Sequence, residues 1–99
     1  MHQIFLGNYM KAKFSPFVQK TISQIHKKDR KLAEKIQRQI VLFESNPKHP
    51  SLKLHKLSGS LDHMWSLSIT LSIRMVFTLM SKETAYFVDI GTHDEVYRK

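Results

Sequence analysis

One change of rhythm constrains this chain more than any other property. Apolar residues recur at helical spacing as far as Phe43 and at alternate positions from Trp65 onward. Trp65, Leu67, Ile69, Leu71, Ile73, Met75, Phe77 and Leu79 hold one parity; Ser66, Ser68, Thr70, Ser72, Arg74 and Thr78 hold the other. Successive side chains of a strand point to opposite faces, so this is strand alternation with one face buried. A run of fifteen residues is too long for one ordinary strand of ~5–6 residues. A turn is therefore expected near Leu71–Ser72, with an antiparallel strand on either side. Lys82–Glu83 reads as a hairpin turn into a third strand over residues 84–90. An initial strand within residues 4–13 is more weakly patterned.

The helical half carries its own punctuation. Ser15-Pro16 fits a helix start, with serine as N-cap and proline at the first helical position, where its missing N–H costs nothing. Phe14, Val18, Ile22 and Ile25 follow at helical spacing, and Gln19, Lys20 and Gln24 lie off that line. Asp29 can cap a second helix whose stripe is Leu32, Ile36, Ile40 and Phe43, and Asn46-Pro47 ends it. Strand, two helices and a meander make an α+β fold: a small antiparallel β-sheet packed against an N-terminal helical hairpin. Residues 1–99 are expected to form one domain with one modest core, burying somewhat less than about 70% of the unfolded surface.

Charge narrows the class of partner. The chain carries a net +8, placed unevenly. Nine basic side chains between Lys11 and Arg38 meet only Asp29 and Glu34, whereas four basic residues face five acidic ones from Leu61 onward. Such a field favours anionic partners, nucleic acid first and an acidic protein or membrane surface next. Lys27, Lys28, Lys31, Lys35 and Arg38 are the hairpin's candidate nucleic-acid contacts; a solvated lysine-rich face is the plainer alternative. No cysteine is present, which excludes disulfides and thiolate metal sites. No apolar run approaches the ~20 residues that span a bilayer. Residues 1–13 do not read as a secretory signal, so a cytoplasmic protein with no membrane partner is expected.

Candidate chemistry gathers in the last fifth. His93 follows Gly91 at the expected end of the third strand, with Asp94 and Glu95 beside it. Histidine titrates near neutrality and suits proton transfer. Tyr97 sits four residues on, which on a helical turn would bring it to His93. An exposed turn capped by polar residues, with Val96 and Tyr97 docked on the core, explains the same residues equally well. Upstream, Lys53, His55 and Lys56 precede the turn at Ser58-Gly59; in an extended segment Lys53 and His55 share a face suited to a phosphodiester. Arg74 stands on the non-core parity, and its planar fork matches phosphate oxygens. Trp65 has core parity and is taken as core. His49, His55 and His63 match no tight metal-ligand spacing, and neither metal nor cofactor is expected.

Taken in order, His55-Lys56-Leu57-Ser58-Gly59, Met64-Trp65-Ser66-Leu67-Ser68-Ile69, Ile73-Arg74-Met75-Val76-Phe77 and Asp89-Ile90-Gly91-Thr92-His93-Asp94-Glu95-Val96-Tyr97 resemble the RelE/ParE superfamily of bacterial toxins. Within it they are most similar to RelE/YafQ-type mRNA interferases of type II toxin–antitoxin systems. The resemblance implies a small sheet against two N-terminal helices, cleavage of mRNA in the ribosomal A site, and a cognate antitoxin that covers the basic surface. By position, His55 matches a histidine just before the turn, Arg74 the family's strand arginine, His93 a histidine near the C-terminus and Tyr97 a terminal aromatic residue. Lys53 and Lys56 fall where RelE-type members keep functional lysines. Ser68 and Ser72 stand where YafQ-like enzymes carry a further histidine and aspartate, and the YoeB-like glutamate near Ser51 is absent.

The resemblance implies an endoribonuclease that needs no metal: the RNA 2′-OH attacks the adjacent phosphorus, with His55 as base and His93 as acid or positioning group. Arg74 with Lys53 or Lys56 would hold the phosphoryl oxygens, and Tyr97 would orient or stack on a base. Two other classes stay open. One is a non-catalytic or ParE-like toxin that binds a protein such as gyrase; the other is a general nucleic-acid-binding protein acting through its helices.

Overall fold

The computed structural model describes residues 8–97. Its elements run β1 (Lys11–Phe14), α1 (Pro16–Lys28), α2 (Arg30–Ser45), β2 (His55–Lys56), β3 (Met64–Ser68), β4 (Ile73–Ser81), β5 (Thr84–Thr92) and α3 (His93–Tyr97), with single 3-10 turns at Pro50–Leu52 and Gly59–Leu61. Both expected caps form. Ser15 Oγ accepts from the Val18 N–H at 3.2 Å, and Asp29 Oδ1 from the Leu32 N–H at 3.1 Å. Asn46 ends α2, as the Asn-Pro pair requires.

The five strands lie in the order β1-β5-β4-β3-β2. β3, β4 and β5 form the expected antiparallel meander, with the β3–β4 turn falling over residues 69–72, and β2 adds a short antiparallel strand beside β3. β1 refines that picture, because it joins β5 in parallel, from Lys11 opposite Thr84 to Phe14 opposite Phe87. The chain then leaves the sheet directly into α1. Of the segment expected to start the sheet, residues 4–7 lie outside the described residues. The third strand of the meander runs two residues beyond its expected end, through Gly91 to Thr92.

The hairpin of α1 and α2 covers one face of the sheet. Val18, Ile36, Ile40 and Phe43 pack on Leu67, Met75, Phe77, Phe87 and Ile90. Phe43, Phe77 and Phe87 form the centre, their ring centroids 5.0–5.6 Å apart. Trp65 stacks on Phe77 and belongs to this core, as its parity indicated.

The expectation of a single buried face is overturned. Leu57, Val76 and Val96 form a second core on the other side, flanked by Leu61, Met64, Val88 and Tyr97. Ser66 and Ser68, which have the solvent parity in the sequence, are buried there. Alternation records which face takes the helical hairpin; it does not register that α3 and the segment around β2 fold back over the other.

Polar side chains of α2 take up backbone groups that the strand ladders leave over. Glu44 Oε2 accepts from the Ala12 N–H at 3.0 Å along β1, and Gln39 Nε2 donates to the Ser68 carbonyl at 2.9 Å beside β3. A strand edge left open would invite pairing with another chain.

Candidate active site

On the second face a cleft of about 330 Å³ opens between the β2 segment and α3, lined by His55, Lys56, Leu57, Ser58, Leu61, His93 and Tyr97. Each wall has a local cause. β2 is two residues long and is continued by the Leu57 N–H donating to the Met64 carbonyl at 2.9 Å. The chain then turns at Gly59, whose φ of +67° is the left-handed conformation that side chains disfavour. His55 stands opposite Ser66 in the register.

The other wall is a five-residue helix, far too short to be stable alone. A reciprocal cap starts it: Glu95 Oε1 accepts from the Thr92 N–H at 2.7 Å, and Thr92 Oγ1 accepts from the Glu95 N–H at 3.3 Å. Val96 anchors it in the second core. The helical spacing sets His93 against Tyr97, ring centroids 4.2 Å apart and rings perpendicular. His55 approaches the same Tyr97 edge-on at 6.3 Å. One phenol ring thus lies against two imidazoles that are 38 residues apart in the chain. Its hydroxyl donates to Ser66 Oγ at 2.6 Å, so it points into the sheet.

The expected site residues divide into three groups. His55, Lys56, His93 and Tyr97 meet in the cleft. Arg74 lies on the same sheet face but outside the lining, between Ser68 and Gly91 in the register, with its Nη1 buried and without a hydrogen-bond partner among the described residues. Burial closes this nitrogen to an RNA phosphate, so an anion would have to meet the other N–H groups of the guanidinium. Lys27, Lys28, Lys31, Lys35 and Arg38 belong to the helical layer, on the opposite side of the sheet from the cleft.

Lys53 does not share a strand face with His55. It closes the first 3-10 turn in the left-handed conformation at φ 45°, and the strand starts only at His55. Asp94 Oδ1 lies 3.7 Å from His93 Nδ1 in an exposed pair, while Glu95 is committed to the helix cap. His49 caps the first 3-10 turn and His63 lies exposed beside Asp62. Among the described residues no three His, Asp or Glu side chains come together as metal ligands. A larger groove of about 570 Å³ runs between α1 and α2, but its lining is mainly apolar, with only His26 and Lys27 titratable. Ser66, Leu57 and Leu61 are the site-building residues that sequence reasoning passed over; Ser66 alone left a signal, a small polar residue flanked by Trp65 and Leu67.

No protein-family profile and no curated protein sequence matches this chain. Comparison of folds does find relatives: the architecture is similar to that of solved YoeB/ParE and YafQ toxins. The YoeB/ParE toxin from Agrobacterium tumefaciens superposes with a TM-score of 0.67 at 22% identity, over 85% of this chain and 99% of that one. The YafQ complex with DinJ from E. coli gives 0.68 at 19% identity, over 90% and 98%. A YoeB dimer from Staphylococcus aureus gives 0.65 at 20% identity, over 86% and 98%.

Proposed function

We propose that this chain is the toxin of a type II toxin–antitoxin pair, and that it acts as a ribosome-dependent endoribonuclease on mRNA in the cytoplasm. The observation that carries the reading is the His55–Tyr97–His93 arrangement in one cleft, on the fold of YoeB and YafQ toxins. RNA brings its own nucleophile, so the protein needs only a proton acceptor, a proton donor and a cationic clamp.

In the proposed reaction His55 takes the 2′-OH proton as that oxygen bonds to phosphorus. The P–O5′ bond breaks, and His93 gives a proton to the departing 5′-oxygen. The products are a 2′,3′-cyclic phosphate and a free 5′-OH, so atoms and charge balance without a metal or cofactor. Lys56, on the cleft wall, and Arg74, beneath the start of α3, offset the charge that builds on the phosphoryl oxygens. Lys53 remains an outer contact to the RNA backbone. The partner is a cognate antitoxin, as the YafQ and YoeB toxins have in DinJ and YefM.

Purified protein added to translating ribosomes is expected to cut mRNA and leave cyclic-phosphate ends. His93→Ala and His55→Ala should each lower the rate by roughly 10²–10⁴-fold, the usual worth of a general acid or base. Full activity in both variants would remove the histidine roles. Ends bearing a 5′-phosphate would remove the 2′-OH route.

One observation favours a second reading, a non-catalytic toxin that holds a protein partner. Ser68 Oγ is spent on the Thr70 carbonyl at 2.8 Å, so no further acid–base group is added where the middle strands meet. Growth arrest with intact mRNA and inhibited gyrase would establish that reading instead.

A further inference from the structure

The ring that joins the two imidazoles is itself held by a residue to which the cleavage reading gives no part. Ser66 is wholly buried, accepts the Tyr97 hydroxyl at 2.6 Å, and stands directly opposite His55 in the β2–β3 register. Side chains directly opposite in an antiparallel pair project to the same face as neighbours. Ser66 therefore sits where the two walls of the cleft meet at the sheet.

We propose that Ser66 is a positioning residue for the cleft. By bonding the Tyr97 hydroxyl, it holds the far end of the phenol ring where the ring meets His93 and faces His55. The other anchors of α3 do not set this position. The Thr92–Glu95 cap fixes where the helix starts, and Val96 fixes how deep it lies. Neither ties the far end of the Tyr97 ring to the sheet, which the short hydroxyl–hydroxyl bond does while the second core packs against the ring.

The kinetic consequence rests on the endoribonuclease reading; the geometric one does not. Ser66→Ala and Tyr97→Phe, singly and together in the full chain, test both. Nuclear magnetic resonance of the carbon-bound imidazole protons reads the geometry directly, since a perpendicular ring at 4.2 Å shifts the His93 signals by its ring current. Both single variants should move those signals alike, and the double variant should add nothing. Ser66→Ala signals at the wild-type position, or shifts that add in the double variant, would overturn the proposal.

In single-turnover cleavage each variant should lower kcat by about 3- to 10-fold, the worth of one hydrogen bond, with KM within about 2-fold. A rise in KM at unchanged kcat would also overturn it. If the wild-type protein cleaves nothing, the endoribonuclease reading falls and the resonance arm still decides Ser66. Tyr97→Phe removes the same bond while keeping Ser66 and an aromatic ring, so the test survives a Ser66→Ala variant that folds poorly.

Discussion

Replacing Gly91 with alanine should have opposite effects on stability with and without Glu95. Gly91 is the last-but-one residue of β5, and its φ is not in the left-handed region, so its backbone accepts alanine without strain. The obstacle is one side chain. A Cβ on Gly91 would lie 2.6 Å from Glu95 Oε1 and 3.2 Å from Glu95 Cβ. That oxygen is the acceptor for the Thr92 N–H, so making room for the methyl group undoes the cap of α3. Losing a helix cap costs about 1 kcal/mol. Gly→Ala at a compatible position gains about 0.4–1 kcal/mol by restricting the unfolded chain. The two nearly cancel in the wild-type background, leaving a net loss of roughly 0–0.6 kcal/mol.

In a Glu95→Ala background the carboxylate is gone and only the 3.2 Å contact with the Cβ at position 95 remains, so a gain of up to about 1 kcal/mol is expected. The coupling between the positions is then about 1 kcal/mol. In a domain of this size that corresponds to a difference of about 4–8 °C between the two Tm shifts. Thermal unfolding of wild type, both single variants and the double variant measures it. An equal shift from Gly91→Ala in both backgrounds would refute the reasoning, because Glu95 would then not be what Gly91 makes room for.

Phe43→Ala should cost about 3–5 kcal/mol in urea unfolding, because a fully buried ring against Phe77 and Phe87 leaves a cavity that rigid strands cannot close. A loss below about 1.5 kcal/mol would mean that the hairpin does not pack on the sheet as described. Replacing Lys27, Lys31 and Arg38 together with alanine should weaken RNA binding and flatten its salt dependence, by about 0.7 in slope for each phosphate left without its cation. Because these side chains lie across the sheet from the cleft, single-turnover kcat should stay within about 2-fold, in contrast to the loss of one catalytic acid or base. A large fall in kcat would place the hairpin in the reaction.

Much of the local structure was legible because its causes are local. Ser15 and Asp29 cap the helices that follow them, and Asn46-Pro47 stops the second, through bonds spanning a few residues. The meeting of His93 and Tyr97 was legible for the same reason, since four residues make one helical turn. The sequence also carried a misleading cue. Asp94 and Glu95 have the look of further acid–base groups beside His93, whereas Thr92 and Glu95 spell a capping box in which Glu95 is spent. Glu44, on the β1 edge, and Gln39, at the end of β3, read in the sequence as ordinary helix polar residues.

By itself the sequence determined the types of the elements, where most of them start and stop, and the sign and unevenness of the charge. Periodicity, capping and composition act over one or two turns of chain and survive being read in one dimension. Only the tertiary structure decided that β1 runs parallel to β5 and that both faces of the sheet are buried. It also decided that His55 meets Tyr97, while the basic hairpin lies across the sheet from them. Register and layer are settled by which apolar faces bury one another across tens of residues. Ser66 shows the difference most plainly: in the sequence it is the polar half of an alternation, and in the fold it is buried beneath the cleft with the Tyr97 hydroxyl on its oxygen.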